Sequence, residues 1–246
     1  MYKEIYDNET NHWWFRGRRK IVSRVLNEWI KPPVDRALDV GFATGTNIEL
    51  IIKPLAKEIW GIDPSEEAVK FASEKNPDIK IIKGYFPEDI NNDSKFDLIV
   101  MLDSLEHIKD DQAAVKKIGE LLNNNGLAII TVPAFSFLWS QHDELLHHHR
   151  RYTRRDLKKL IDNIPDLKIK KLSYFNFVLF PLIVLFRFLR KIFGLGVGKS
   201  DNFMPSPAIN KLLEFLFSIE AGLINYLSFP LGVSLLCVLR KESLTT

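Results

Sequence analysis

The sequence predicts an α/β domain with a mostly parallel sheet, and three observations carry that prediction. From Val34 to about Phe175, short apolar runs alternate with amphipathic stretches, as strands of a parallel sheet alternate with covering helices. One run, Ala37-Leu-Asp-Val-Gly-Phe-Ala-Thr-Gly45, leads into a glycine turn with an acid inside it. A strand that ends this way and feeds a helix brings backbone N–H groups close to a nucleoside-type ligand. The next run, Glu58-Ile-Trp-Gly-Ile-Asp63, ends in a second acid about 20 residues on, where a ribose diol would be held.

The elements follow in order. Residues 1–32 are polar and aromatic, a helical cover that ends at Pro32-Pro33. Residues 33–175 form the expected core, with strands at Ala37–Val40, Glu58–Asp63, Ile79–Lys83, Phe96–Leu102 and Leu127–Val132. Helices are expected near Asn47–Ala56, Ser65–Glu74 and Asp111–Leu122, the last stopped by the turn cluster Asn123-Asn-Asn-Gly126. Thr153-Arg-Arg-Asp156 is a capping-box variant that starts a further helix ending near Asn163, with Tyr152 and Leu157 at staple positions. Leu167–Ser173 reads as a sixth strand and Gly232–Arg240 as a seventh, with residues 232–246 forming that strand and a tail. Roughly 55 residues separate the two, far beyond a hairpin loop. Residues 176–231 are therefore an apolar helical insert.

Bulk properties narrow the class. A chain of 246 residues holds one such domain with room for the insert. At 46% hydrophobic and 26% charged residues it is globular, and a net charge of +3 is too small to imply a nucleic-acid partner, so none is expected. The single cysteine, Cys237, sits in an apolar run and is expected in the core, which fits a reducing compartment. Met1 to Asn11 carry no apolar stretch of the secretory type, so the cytoplasm is expected.

The turn's spacing points to a particular nucleoside. A dinucleotide site wants G-x-G-x-x-G, and counting from Gly41 gives Gly41, Ala43 and Thr46, which fails at two of three positions. Counting acid-x-Gly-x-Gly-x-Gly gives Asp39, Gly41, Ala43 and Gly45, a departure of one methyl group. That pattern resembles motif I of the class I S-adenosylmethionine (SAM) methyltransferases. The resemblance implies a Rossmann-like, seven-stranded, mostly parallel sheet with an antiparallel last strand, and SAM as cofactor. It implies that the small residues at 41, 43 and 45, with Phe42 among them, let the main chain approach the methionine end of SAM. Asp39 would orient that turn or meet the ammonium through water, and Asp63 would accept from both ribose hydroxyls.

Other segments extend the resemblance. In Gly84-Tyr-Phe-Pro87, Tyr85 stands where many family members carry an acid bonded to the adenine amino group. Tyr85 or Phe86 lining the adenine face and simple loop packing both fit. Phe96 to Ile108, ending in Leu105-Glu-His107, strongly resembles motif IV and would deliver Leu102, Asp103 and Ser104 beside the sulfonium. His107 either takes a proton from the acceptor or ties down the loop. Four of the six histidines fall between His142 and His149, where a methyl acceptor would lie. A general base (His142 with Asp143, or His148), an anion pocket of Arg150 and Arg151, and a self-capping helix start all remain open. No histidine or carboxylate spacing there defines a metal geometry, and no metal is assigned. In His12-Trp-Trp-Phe-Arg-Gly-Arg-Arg19, Trp14 with its aromatic neighbours could close a lid over the acceptor, and Arg18 could face an anionic group. Core aromatics and solvated arginines fit equally. Together with His148-His-Arg-Arg-Tyr-Thr153, this run resembles a type 11/12-like branch of bacterial and archaeal methyltransferases, over nearly the whole chain.

The insert opens with Phe175 to Phe186, which contains Pro181 and is followed by Arg187, Arg190 and Lys191. A spanning helix needs about 20 apolar residues, so a helix lying in the membrane interface fits this run better. Leu212–Leu227 carries Glu214 and Glu220 and reads as amphipathic. The expected function is methyl transfer from SAM to a small or lipid-linked acceptor, with peripheral membrane contact through residues 175–229. The alternatives are SAM binding without transfer, and a soluble small-molecule methyltransferase whose insert is a lid or dimer contact. An NAD-linked oxidoreductase is disfavoured by the glycine count.

Overall fold

A computed structural model describes residues 2–193 and 204–243; positions 194–203 of the expected insert and 244–246 of the expected tail lie outside the described residues. Two helices lead in, α1 (Tyr2–Asn8) and α2 (Trp13–Trp29). The His12 ring caps α2 by accepting from the Trp14 N–H, and Ile21, Val22, Val25 and Leu26 form its buried face. The strands and helices then alternate: β1 (Val34–Val40), β2 (Ala56–Asp63), α3 (Glu66–Lys75), β3 (Lys80–Lys83), β4 (Phe96–Leu102), α4 (Asp111–Leu121) and β5 (Leu122–Pro133). There follow α5 (Gln141–Leu145), α6 (Arg154–Asp162), β6 (Leu167–Phe175), α7 (Phe180–Phe193), α8 (Pro207–Leu223) and β7 (Ser234–Lys241).

Seven strands form one sheet in the order β3-β2-β1-β4-β5-β7-β6. β7 is the reversed strand, antiparallel to both β5 and β6, while the β1–β2, β1–β4, β2–β3 and β4–β5 pairs are parallel. The central strands are covered on both faces, which is why they read as unbroken apolar runs: Leu98 to Met101 on β4 and Leu235 to Leu239 on β7 are all fully buried. Cys237 lies within that stretch, as expected. At α6, Thr153 and Asp156 form the anticipated reciprocal cap, and Tyr152 and Leu157 are buried beneath it.

Two elements differ from expectation. The helix expected over Asn47–Ala56 is only a short π-helical segment, Ile48–Ile52, because Pro54 cannot continue the ladder and β2 already begins at Ala56. The Asn123–Gly126 cluster does not separate α4 from its strand; it is the irregular start of β5. Asn123 donates to Asp97 Oδ1 at 2.7 Å, and the β4–β5 register slips between Phe96 and Leu98.

The insert packs back on the lead-in. Gly17 of α2 lies so close to the Phe217 ring of α8 that a Cβ there would collide with it. The rings of Trp14, Phe175 and Phe217 stack at centroid distances of 5.4–6.3 Å. The acids of α8 turn inward. Glu214 pairs with Arg16 at 2.9 Å and Lys20 at 2.7 Å, and buried Glu220 accepts from the Val178 N–H at 2.8 Å. What α8 shows outward is apolar: Leu212, Phe215 (64% exposed) and Ile219. α7 does the same with Leu185, Phe188 (60% exposed) and Ile192. Among the described residues no helix is long and apolar enough to cross a membrane.

Candidate active site

At the carboxyl ends of β1, β2 and β4 the chain surrounds a cavity of about 1200 Å³, larger than the ~300–1,000 Å³ of an ordinary small-molecule pocket. Its floor is the turn after β1. Gly41 sits at φ 74°, and a Cβ on it would strike the Ser104 hydroxyl, so the main chain itself faces the cavity. Ala43 takes φ 51°, which costs an L-residue about 1 kcal/mol. Its N–H donates to Asp63 Oδ2 at 3.1 Å, and Ser65 N–H donates to Asp63 Oδ1 at 2.9 Å. Burial raises the Asp63 pKa, and those two donors hold it back.

Asp39 lies beneath this turn rather than on the cavity wall. It is buried, and its Oδ2 has no hydrogen-bond partner among the described residues. Burial, with the Asp63 carboxylate nearby, raises its pKa from 3.8 to about 7. Gly45 also stands behind the wall, its carbonyl accepting from Asn76 at 3.1 Å. Phe42, Phe86, Leu102 and Asp103 line the cavity, and Tyr85 stands at its mouth, 68% exposed.

Two features of this end were not foreseen. Glu9, just past α1, is buried and accepts from the hydroxyls of Thr44 and Thr46 and from Lys75 at 2.7 Å. It clasps the lead-in onto the glycine turn; one acid among the three that precede α2 (Glu4, Asp7, Glu9) gives no sequence signal for this. Asp103 is held by Thr131 Oγ1 at 3.0 Å and by an ion pair with Arg18. Arg18, expected to meet an anionic acceptor, thus spends a guanidinium nitrogen on a protein carboxylate instead.

The histidine segment closes the opposite wall. His107, His142, His147, His148 and His149 all line the cavity. Asp143, with no exposed surface, accepts from Arg151 Nε at 2.7 Å, Arg151 Nη2 at 2.9 Å, Ser140 N–H at 2.8 Å and His148 Nδ1 at 2.9 Å. Burial works against its charge, but the bonds from His148 and Arg151 outweigh it and hold the carboxyl well below its ordinary range. Arg151 also donates to the Ala134 carbonyl at 3.0 Å, so its donors serve the loop and not an anion pocket. Arg150 is absent from the cavity wall: it pairs with Asp111 at 2.7 Å and donates to the Lys109 carbonyl at 2.6 Å. The sequence could not separate these two neighbours, because backbone direction sends one inward and one outward.

His149 N–H donates to the Glu106 carbonyl at 2.9 Å, which brings Glu106, His107 and His148 together. Glu106 is 1% exposed, and neither carboxylate oxygen has a hydrogen-bond partner among the described residues. Burial, then the Asp103 charge, raises its pKa well above the ordinary value. The His107 ring is exposed to the cavity; partial desolvation by the surrounding walls, and then neighbouring His148, lowers its pKa to about 4. The roof is apolar, with Trp14 from α2, Leu182, Ile183 and Phe186 from α7, and Ile209 and Leu213 from α8.

Residues 11–167 match a family model described as a methyltransferase domain. An uncharacterized methyltransferase of Staphylococcus carnosus is 34% identical over 111 residues, covering 44% of this chain and 52% of its own. The ubiquinone biosynthesis O-methyltransferase of Pelagibacter ubique is 28% identical over 158 residues, covering 58% of this chain and 65% of its own. The chain thus spans between about half and just under two thirds of the length of these curated relatives. The N-methyltransferase NodS from Bradyrhizobium japonicum, solved with S-adenosyl-l-homocysteine, is similar with a TM-score of 0.58 at 14% identity over 98% of each chain, a likeness of fold.

Proposed function

The chain belongs to the methyltransferase-domain family of class I, SAM-dependent methyltransferases, and on that premise we propose that it binds SAM and transfers its methyl group to an apolar acceptor met at a membrane surface. One observation carries this reading: a single cavity joins the Gly41–Ala43 turn and Asp63 to the apolar roof from α7 and α8. Its volume leaves room for a cofactor and an acceptor together.

The cofactor end fits SAM on its own chemistry. Asp63 is fixed by two backbone donors at the end of β2, where it can accept from a ribose diol. The orphaned Asp39 oxygen lies behind Gly41 rather than on the wall, so its negative charge would reach an ammonium group through water. Phe86 offers a flat apolar face to a base, and Tyr85 a cover at the mouth. Bound there, SAM supplies a methyl group made electrophilic by positive sulfur. The protein's share is alignment and exclusion of water. Arg18 holds Asp103, and so positions the end of β4 rather than gripping the acceptor. The wall of Glu106, His107 and His148 faces the acceptor's reacting atom, with His148 steadied through Nδ1 by Asp143. His148 Nε2 is then the best placed of the three candidate histidines to receive a proton from the acceptor.

The membrane part rests on the outward apolar faces of α7 and α8, with the acids of α8 turned inward. Flotation with anionic vesicles tests it, comparing the wild type with the double variant Leu212→Ser, Phe215→Ser. Each side chain taken out of lipid forfeits roughly 2 kcal/mol, so the double variant should partition at least about 100-fold more weakly. In parallel, labelled SAM is incubated with a cell lipid extract and with the water-soluble fraction. The expected result is wild-type flotation and label in lipid. No flotation with label in a water-soluble product would make the insert a lid; SAM binding without any turnover would leave a binding protein.

A further inference from the structure

We propose that Glu106, His107 and His148 form a binding site for one divalent first-row transition cation, with its open positions facing the acceptor half of the cavity. One ligand atom from each of the three lies within 4.8 Å of the others. Around a cation with bonds of about 2.0–2.2 Å, neighbouring ligands sit roughly 3–3.5 Å apart, so small side-chain rotations close the set. The backbone bond from His149 to the Glu106 carbonyl at 2.9 Å stitches the two segments that supply the ligands.

Two further observations favour a cation over a structural cluster. The Glu106 carboxyl is buried with neither oxygen hydrogen-bonded among the described residues, a costly arrangement unless a positive charge meets it. Asp143 holds His148 Nδ1 at 2.9 Å, which fixes the tautomer that presents Nε2 to the cluster; Nε2 is 4.0 Å from Glu106 Oε1. A carboxylate behind a ligating histidine is the usual outer support of a metal site, and the buried Asp143–Arg151 pair keeps it rigid. Two imidazoles with one carboxylate and no thiolate suit Zn²⁺, Fe²⁺, Co²⁺ or Mn²⁺ rather than Mg²⁺, which prefers oxygen alone.

The site's use rests on the methyl-transfer reading, while its existence does not. A hydroxyl oxygen of the acceptor, bound at an open position, would release its proton to water because the cation stabilises the alkoxide or phenolate. That oxygen then forms the C–O bond to the methyl carbon as the C–S bond breaks, and sulfur keeps the electron pair as S-adenosylhomocysteine. His107 and His148 would in that case act as ligands, and the cation would take over the task of ionising the acceptor.

Untagged, full-length, metal-stripped protein titrated with Co²⁺ tests the proposal, read by visible absorption and calorimetry, with SAM titrated separately. The expected result is one Co²⁺ per chain with ligand-field bands, loss of those bands in His107→Gln and His148→Gln, and binding weakened about 10–100-fold in Asp143→Asn. SAM affinity in the two glutamine variants reports that they fold. Wild type without stoichiometric Co²⁺ overturns the site, as do glutamine variants that bind Co²⁺ like wild type. Should a glutamine variant lose SAM binding as well, Glu106→Gln takes its place, and unchanged Co²⁺ affinity in it is equally fatal. Co²⁺ bound without SAM would remove the methyl-transfer reading and leave the cation site; SAM bound without Co²⁺ would do the reverse.

Discussion

Asp39→Asn sets the stability of the empty protein against the use of its cofactor pocket. The Asp39 carboxyl is buried, one oxygen lacks a partner among the described residues, and burial with the nearby Asp63 charge raises its pKa from 3.8 to about 7. Between those two values the folded chain keeps a proton that the unfolded chain has released. Stability is therefore full below pH 3.8, falls as pH rises to about 7, and is level above. The rise is roughly three pH units, and at about 1.4 kcal/mol each the whole effect is on the order of 4 kcal/mol. An asparagine brings N–H groups that need partners, which offsets about 1–3 kcal/mol of this. The variant should thus be more stable than wild type by about 1–3 kcal/mol near pH 8, and by less near pH 5. Its SAM affinity should move the other way, falling at least about tenfold, because the charge that burdens the empty pocket is the one an ammonium would meet. Urea unfolding of the ligand-free protein at both pH values, paired with SAM calorimetry, checks both halves. A variant no more stable at pH 8, or one that binds SAM as tightly, refutes the reasoning.

Two neighbours and one glycine give sharper contrasts. Arg151→Ala leaves Asp143 buried without its main counter-charge and should cost about 3–5 kcal/mol in denaturant unfolding. Arg150→Ala, whose partner lies at the surface edge, should cost less than about 1 kcal/mol; equal losses would contradict the inward and outward placement of the two. Gly17→Ala pushes a methyl into the Phe217 ring, which is fully buried. About 1–3 kcal/mol of overpacking is expected there, read as a melting point lower by several degrees, and an unchanged melting point would mean that α2 and α8 do not meet this closely.

The geometry of the cavity half proposed for the cofactor was legible because its residues lie on one strand–turn–strand unit and their placement is set by the main chain. Gly41, Ala43 and Asp63 do what a strand end and a tight turn require of them, and the methyl on Ala43 is tolerated because its N–H gains a carboxylate. The acceptor half was less legible, since its members meet only through tertiary contacts. Glu106 looks like a loop residue until the segment carrying His148 is bonded across it. Arg18 and Arg151 look available in a sequence, and in the fold each faces a carboxylate from elsewhere in the chain. Periodicity marked α8 as amphipathic but not which face is covered; that was decided by Arg16 and Lys20 on α2, which draw Glu214 inward. Strand cores were the easiest reading, because a strand buried on both faces has no polar interruptions to misplace.

The roof leaves and rejoins the sheet at one point. β6 and β7 pair along their length, from Leu167 opposite Lys241 to Phe175 opposite Ser234, and the chain leaves for the insert and returns from it at that last rung, where Val233 and Ser234 already touch the cavity. Within the insert, Phe229 adds one bridge to Tyr174 of β6, and Phe217 packs on Gly17 of α2. Exchanging only the outward-facing side chains of α7 and α8 would alter the roof while leaving the Gly41–Ala43 turn and Asp63 in place. A graft exchanged between two such chains at the Phe175–Ser234 rung would therefore need the matching face of α2 with it, because Gly17 and Arg16 are fitted to Phe217 and Glu214.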